Sequence, residues 1–407
     1  PHAGSAIPGI HSRSTFRVAK AGRTCSTSSG SPRRISRECR APRSRAVAAD
    51  RLRVHHPRDH GHPHPRDPAR PAHHDDGAAA HELRRAPAHL AAAGPGLLRA
   101  DLAGADLRGA KLRKTILFRA NLTGADLREA AFEKASLGRI DLAGANLSGV
   151  DLSNARLAHA SLRRAQLRGT TLSNGMLEHA DLRGADFTGA DLGKARLRYA
   201  RLDRAVFDET NLQQADLRSL DLRNVARLSR SDLSGARFHE SRLDGLDLSD
   251  NRFDLVQFHR GSLAGARLAG ASMTGIEIHK ADLSQAVLDG ADLQNANITG
   301  VQLVGASLQS VKLSSAILRG NLVGIDLSGS NLQRADLSGA NLKDAKLRHA
   351  DLTQANLTSS NLYAADLDGA TLHRTNLRDA NLHEAKLDHA DLGTALLEGA
   401  RGLPFGN

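Results

Sequence analysis

The chain has 407 residues, 40% of them hydrophobic but only 3% aromatic, with no Trp, two Met and two Cys. A formal net charge of +12 ordinarily points to nucleic acid, yet residues 1–95 carry 17 Lys/Arg against 7 Asp/Glu while residues 96–407 carry 39 against 37. With both cysteines before residue 40, a disulfide-stapled scaffold is excluded. No run of about 18 apolar residues exists to span a membrane as a helix, and no signal-peptide core stands out, so the expectation is a cytoplasmic protein.

Residues 1–77 read as a basic leader rich in His, Pro and Arg, for example "SPRRISRECRAPRSRAVAAD" and "HHPRDHGHPHPRDPARPAHHDDG". Hydrophobic periodicity is absent and Pro interrupts every potential element, so the leader cannot bury enough apolar surface to offset its ordering entropy and is expected to be disordered. Its composition is also that of GC-rich DNA translated outside a gene, so an over-extended reading frame is one account of it, beside a fragment or a processed product. The 11 histidines before residue 95 and the two cysteines lack the close Cys pair of known zinc modules. Residues 78–96, with "AAAHELRRAPAHLAAA", are expected to form a short cap, helical if Pro87 permits.

From Leu102 the chain repeats every five residues. Leu centres run from Leu102 to Leu222, from Leu228 to Leu318 after a one-residue insertion, and from Leu322 to Leu397 after a one-residue deletion. Leu fills 51 of these 60 centres, and Ala stands two residues before 39 of them. On an α-helix five residues overshoot a full turn by roughly 140°, so the leucines would spiral over every face. On a continuous strand an odd period would send alternate leucines to opposite faces. The pattern works if each unit is a very short extended segment followed by a corner: Ala and Leu point inward, the polar residue between them points out, and the last two residues turn the chain. Gly104, Gly109, Gly124, Gly144 and Gly149 occupy the second turn place, where a positive φ is expected.

The tandem A[D/N]LXX phrase, as in "ADLSGANLKDAKLRHADLTQANL" (335–357), resembles the pentapeptide-repeat family, and the resemblance covers about three quarters of the chain. It implies an all-β fold, a right-handed quadrilateral parallel β-helix of about 15 coils over residues 97–400, roughly 70 Å long at the spacing of neighbouring strands. Residues 401–407 then form a C-terminal cap. The register breaks fall near 225, within "DLRNVARLSR", and near 320, where Gly320 sits at the join of "ILRGNLVG". Between them Leu246, Asn251 and Val256 replace Ala, and Phe238, Phe253 and Phe258 replace Leu. This is either compensating core volume or a bend or partner site.

Ser, His and Asp are plentiful but sit at pattern positions, and a Leu/Ala core offers no pocket for a nucleophile and its base. No enzyme activity, catalytic residue, cofactor or metal is expected. One outward column stands out: at 20-residue intervals come Arg119, Arg139, His159, His179, Tyr199, and then, past the insertion, His239, His259, His279 and Arg319. It reads either as a basic and imidazole stripe for an anionic partner that strengthens as pH falls, or as a harmless solvated ladder. Charge also drifts, from 20 basic and 16 acidic residues over 101–224 to 9 and 14 over 281–400.

The resemblance implies a non-enzymatic protein-binding scaffold, with DNA gyrase or another topoisomerase as the specific candidate. The best-understood members are DNA-mimicking rods that bind gyrase and protect it from inhibitors. The alternative is direct nucleic-acid binding through the leader and the Arg/His column, although stacking aromatics are scarce. Leu403 and Phe405 lie beyond the last unit, and a stacked coil exposes an unpaired edge there. A homodimer through that end is therefore expected.

Overall fold

The computed structural model describes residues 97–133 and 135–403. The expected leader, the 78–96 cap, both cysteines and Phe405 lie outside the described residues. Within them the chain winds as parallel coils. Asp101 bridges Asn121, Asn121 bridges Asp141, and the same 20-residue step recurs on the units starting at Asp106, Lys111 and Ile116. Four five-residue units therefore close one coil.

Each unit is held twice. The corner closes through a four-residue turn, as from Ala105 N–H to Leu102 C=O at 3.1 Å, and the coils are joined by bonds such as Leu102 N–H to Asn121 C=O at 2.7 Å and Gly104 N–H to Thr123 C=O at 2.8 Å. That last donor belongs to the second turn place, and it points to the next coil because its residue is left-handed. The left-handed conformation is not reserved for glycine. Arg119, His159, His179 and Tyr199 hold φ of 57–60° alongside Gly104 at 66°. A side chain here costs about 1–2 kcal/mol in isolation, offset by the inter-coil bond and by open space around the corner, since a Cβ placed on Gly104, Gly109 or Gly124 meets nothing within 4 Å.

Every centre from Leu102 to Leu382 is buried, each Leu contributing about 1.5–3 kcal/mol. Most units are single bridges, but six extend to three residues: β1 (Val206–Asp208), β2 (Arg227–Ser229), β3 (Gln257–His259), β4 (Glu277–His279), β5 (Asn297–Thr299) and β6 (Ile317–Arg319). Strand β1 pairs with β2, and β3 to β6 form a parallel sheet in chain order.

The insertion lies at a corner. Arg204 N–H bonds Asn224 C=O at 2.7 Å, 20 residues ahead, where the same turn place in a regular coil reaches 19 ahead, as from Gly104 to Thr123, and Ala226 N–H bonds Ala205 C=O at 2.8 Å. From there Val206 faces Arg227. Strand β2 is tied back by Asp208, whose carboxylate accepts hydrogen bonds from Ser229 Oγ (2.8 Å), Arg230 Nη2 (2.6 Å) and Arg227 Nη1 (3.2 Å). Its side chain is only 7% exposed. Arg230, with Ser229 and Arg227, holds the carboxyl at about 2, below its ordinary 3.8. A depressed carboxyl stabilises the fold fully above its unfolded pKa, and that contribution is lost as pH falls through the folded value. Asp208→Asn is therefore expected to flatten the part of the melting-temperature profile that the native protein shows between about pH 4 and pH 2. Equal slopes for the two proteins across that window would count against this role.

At the deletion, Gly320 adopts φ 126°, a region that side chains strain to enter. It spans in one residue what Gly300 and Val301 span in the coil before, and its carbonyl still accepts Asn341 N–H at 2.8 Å.

Candidate functional site: two stacked columns of Arg and His

The insertion splits the sequence-predicted column in two. Before it, the members stand at the left-handed second turn place and their rings stack: His159 on His179 at 4.8 Å and 5°, and His179 on Tyr199 at 5.0 Å and 21°. Arg119 lies further up the same line with its guanidinium 5.4 Å from the Phe118 ring, and Arg139 holds the equivalent left-handed place. After the insertion Asp216 faces Arg237 and Arg237 faces Gln257. His239 therefore continues the line of Arg218, one residue earlier in the corner than Tyr199. A fixed 20-residue step crosses from one line to the other because one coil holds 21 residues.

The second column is more enclosed. His239 stacks on His259 at 4.4 Å and 20°, and His259 meets His279 at 4.8 Å but tilted by 60°. His279 Nδ1 lies 2.5 Å from Thr299 Oγ1 in the next coil. Burial pushes the His239 imidazole down, aided by His259 and by Arg218 and Arg237; burial and the His279 ring do the same to His259. These rings gain charge only below the ordinary histidine range. Arg319 ends the line in an ion pair with Asp336.

Where the two columns meet, a shallow depression is lined by Glu178, Arg196, Arg198, Tyr199, Arg218 and Arg237. Arg198 sits 5.2 Å from the Tyr199 ring centre. Much of this charge is answered locally, Arg218 pairing with Asp216 at 2.5 Å and Arg196 with Glu178. The same D-x-R pairing recurs at Asp106–Arg108, Asp126–Arg128, Asp181–Arg183 and Asp221–Arg223. In a unit whose polar residue and first turn residue both point outward, an Asp and an Arg two apart stand side by side.

At the C-terminal end Leu382 is fully buried, but Leu387, Leu392, Leu397 and Leu403 are only partly covered. One residue that the 20-residue periodicity could not single out is Glu277, two residues before His279 on β4. Its carboxylate and one nitrogen each of His259 and His279 lie within 4.8 Å of one another.

A Leu-cored parallel solenoid of five-residue units defines a class of repeat protein, and the chain belongs to the pentapeptide-repeat family: the model of pentapeptide repeats matches nine overlapping or adjoining stretches between residues 97 and 399. The fold is accordingly a right-handed parallel β-solenoid. Similar solved structures include HetL, a pentapeptide-repeat protein involved in heterocyst differentiation regulation from the cyanobacterium Nostoc sp. strain PCC 7120. It is 26% identical over 73% of this chain and 92% of that one, with a TM-score of 0.15. Rfr23 from the cyanobacterium Cyanothece 51142 is 31% identical over 27% of this chain and 63% of that one, with a TM-score of 0.16. Full-length QnrB1, a plasmid-mediated fluoroquinolone resistance protein, is 15% identical over 58% and 92%, with a TM-score of 0.22. No curated protein matches the chain.

Proposed function

We propose that this protein is a non-enzymatic scaffold of about 15 coils that binds another protein along its outer faces, and that DNA gyrase or a related topoisomerase is the partner to test first. The observation that carries the scaffold reading is the core: Leu and Ala fill it from Leu102 to Leu382, so chemistry is left to flat faces of paired charges. Gyrase enters through the resemblance of the repeats to gyrase-protecting members of the family. A DNA-like surface needs unneutralised carboxylates. The N-terminal coils mask many of theirs in D-x-R pairs, while residues 281–400 carry 14 acidic against 9 basic groups. The C-terminal half is therefore the part suited to a basic, DNA-binding surface. Titrating the protein into a gyrase supercoiling reaction, with and without a fluoroquinolone, tests this. Inhibition, or relief of drug-induced cleavage, is expected. No effect at tens of micromolar would remove gyrase and leave the scaffold reading with another partner.

The partly covered Leu387, Leu392 and Leu397 support association of two copies through their last coils, since an open coil offers both apolar side chains and unpaired backbone groups. Light scattering is expected to give a dimer at micromolar concentration, and Leu392→Arg a monomer with an unchanged far-UV spectrum. A native monomer would sink the idea.

A further inference from the structure

We propose that His259, Glu277 and His279 form a binding site for a divalent transition-metal ion of the zinc class, held by two imidazoles and one carboxylate with a fourth position open. The geometry rests on strand pairing. Glu277 and His279 stand two apart on β4 and so project to the same face. The β3–β4 register places His259 directly opposite His279 and Gln257 opposite Glu277, which makes His259 the diagonal neighbour of Glu277. A straight histidine column alone cannot surround an ion. A carboxylate set beside the column turns two points on a line into a triangle.

The three donor atoms already lie within 4.8 Å of one another. Zinc takes nitrogen and oxygen ligands at about 2.0–2.1 Å in a tetrahedron, which places donors about 3.3 Å apart. Small side-chain rotations close that difference. The His259 and His279 rings are tilted by 60°, whereas His239 and His259 lie nearly parallel at 20°, so the column leaves plain stacking at the pair that flanks Glu277.

Independent support comes from polar atoms without partners. Among the described residues six buried side-chain nitrogen or oxygen atoms lack a hydrogen bond, and three are on this face: His239 Nε2, His259 Nε2 and Asn297 Oδ1. Asn297 on β5 faces Glu277 in register. Buried polar atoms are ordinarily satisfied, and leaving one unpaired is costly. Of the three, His259 Nε2 belongs to a proposed ligand, and an imidazole nitrogen there with no hydrogen-bond partner is available to an ion. Glu277 makes no ion pair among the described residues, although Lys280 follows it by three residues. Thr299 supplies the supporting contact that metal-binding histidines require: in the tautomer with Nδ1 protonated, His279 Nδ1–H donates to the Thr299 hydroxyl oxygen, which leaves the Nε2 lone pair for the ion. Three protein ligands and an open fourth position describe a site that can accept water or a side chain from a bound partner.

The test is calorimetric titration of the full chain with zinc chloride, together with the visible spectrum of the cobalt(II) form, in the native protein and in His259→Gln, Glu277→Gln and His279→Gln. Each of these side chains is half-buried, and far-UV spectra check folding. The expected result is one metal equivalent, with tetrahedral cobalt bands, that weakens at least tenfold in each variant. His159→Gln/His179→Gln is expected to keep it, and Thr299→Val to weaken it several-fold while leaving the ligands in place. The 11 histidines before residue 95 are a competing source of zinc binding. An equivalent and spectrum unchanged in the His259→Gln/Glu277→Gln/His279→Gln triple variant would assign the metal to them and overturn the proposal. So would no binding up to 100 μM zinc, a limit set on the order of the weakest affinity such a site could usefully hold.

Discussion

Gly261→Ala is expected to destabilise the middle of the solenoid by about 3 kcal/mol, at the upper end of what overpacking costs, although Ala is the residue most units carry at that place. A Cβ on Gly261 would lie 2.5 Å from Ser241 C=O and 2.7 and 2.8 Å from Cε1 and Cζ of Phe258. The residue has no left-handed φ, so the cost is steric. Phe258 stands at a centre where Leu is the rule, and its ring fills the volume that the glycine leaves open. Phe258→Leu alone should cost about 1–2 kcal/mol by leaving a cavity. Together the two substitutions restore the Leu/Ala pattern, and the double variant should recover the part of the loss caused by the ring, while the contact with Ser241 C=O remains. Repeats in a solenoid contact chiefly their neighbours, so global melting is a blunt readout. Hydrogen exchange at residues 258–262 against the flanking coils measures the local opening directly. Strict additivity would mean that Phe258 and Gly261 do not compensate.

That pair shows what was legible in the sequence. The five-residue frame follows from period alone, because neither a helix nor a continuous strand keeps every fifth Leu on one face. The insertion and deletion follow from counting, and the structure places them at Ala226 and Gly320. Compensating volume was one of two readings of the irregular middle, and Phe258 over Gly261 supports it. Three things were hidden. Residues such as His159 and Tyr199 take the left-handed place as readily as glycine, because inter-coil bonding rather than local propensity sets φ there. The candidate column is two columns, since one 21-residue coil shifts every later residue by one place in its corner. Glu277 was invisible because it joins His259 along the diagonal of a strand pair, while a search at 20-residue steps finds only residues directly stacked.

Asn251→Ala is expected to cost roughly 2–6 kcal/mol, from two buried groups left unpaired at roughly 1–3 kcal/mol each, even though it too restores the family pattern. Asn251 is 3% exposed and ends a chain of polar contacts that begins beside the insertion. Thr210 N–H donates to Ser231 Oγ at 3.1 Å, and Ser231 Oγ donates to Phe207 C=O at 2.8 Å. Ser231 N–H donates to Asn251 Oδ1 at 3.0 Å, and Asn251 Nδ2 donates to Leu228 C=O at 3.0 Å. In an ordinary unit the turn closes by bonding the third residue's N–H to the centre's carbonyl. At the corners after β1 and β2, side chains from the following coils take over both halves of that bond. Alanine at 251 would strand Ser231 N–H and Leu228 C=O inside an apolar core. Ser360 supplies the contrast. It occupies the same place in its unit and is as deeply buried, at 1%, but its hydroxyl has no partner. Ser360→Ala is therefore expected to be neutral or stabilising, since it removes an unpaired polar atom. Urea denaturation of the two variants, with exchange at Ser231 and Thr210 as the local probe, separates the cases. Equal effects at 251 and 360 would show that the polar chain does not hold the corner, and that its residues are merely the sizes that fit.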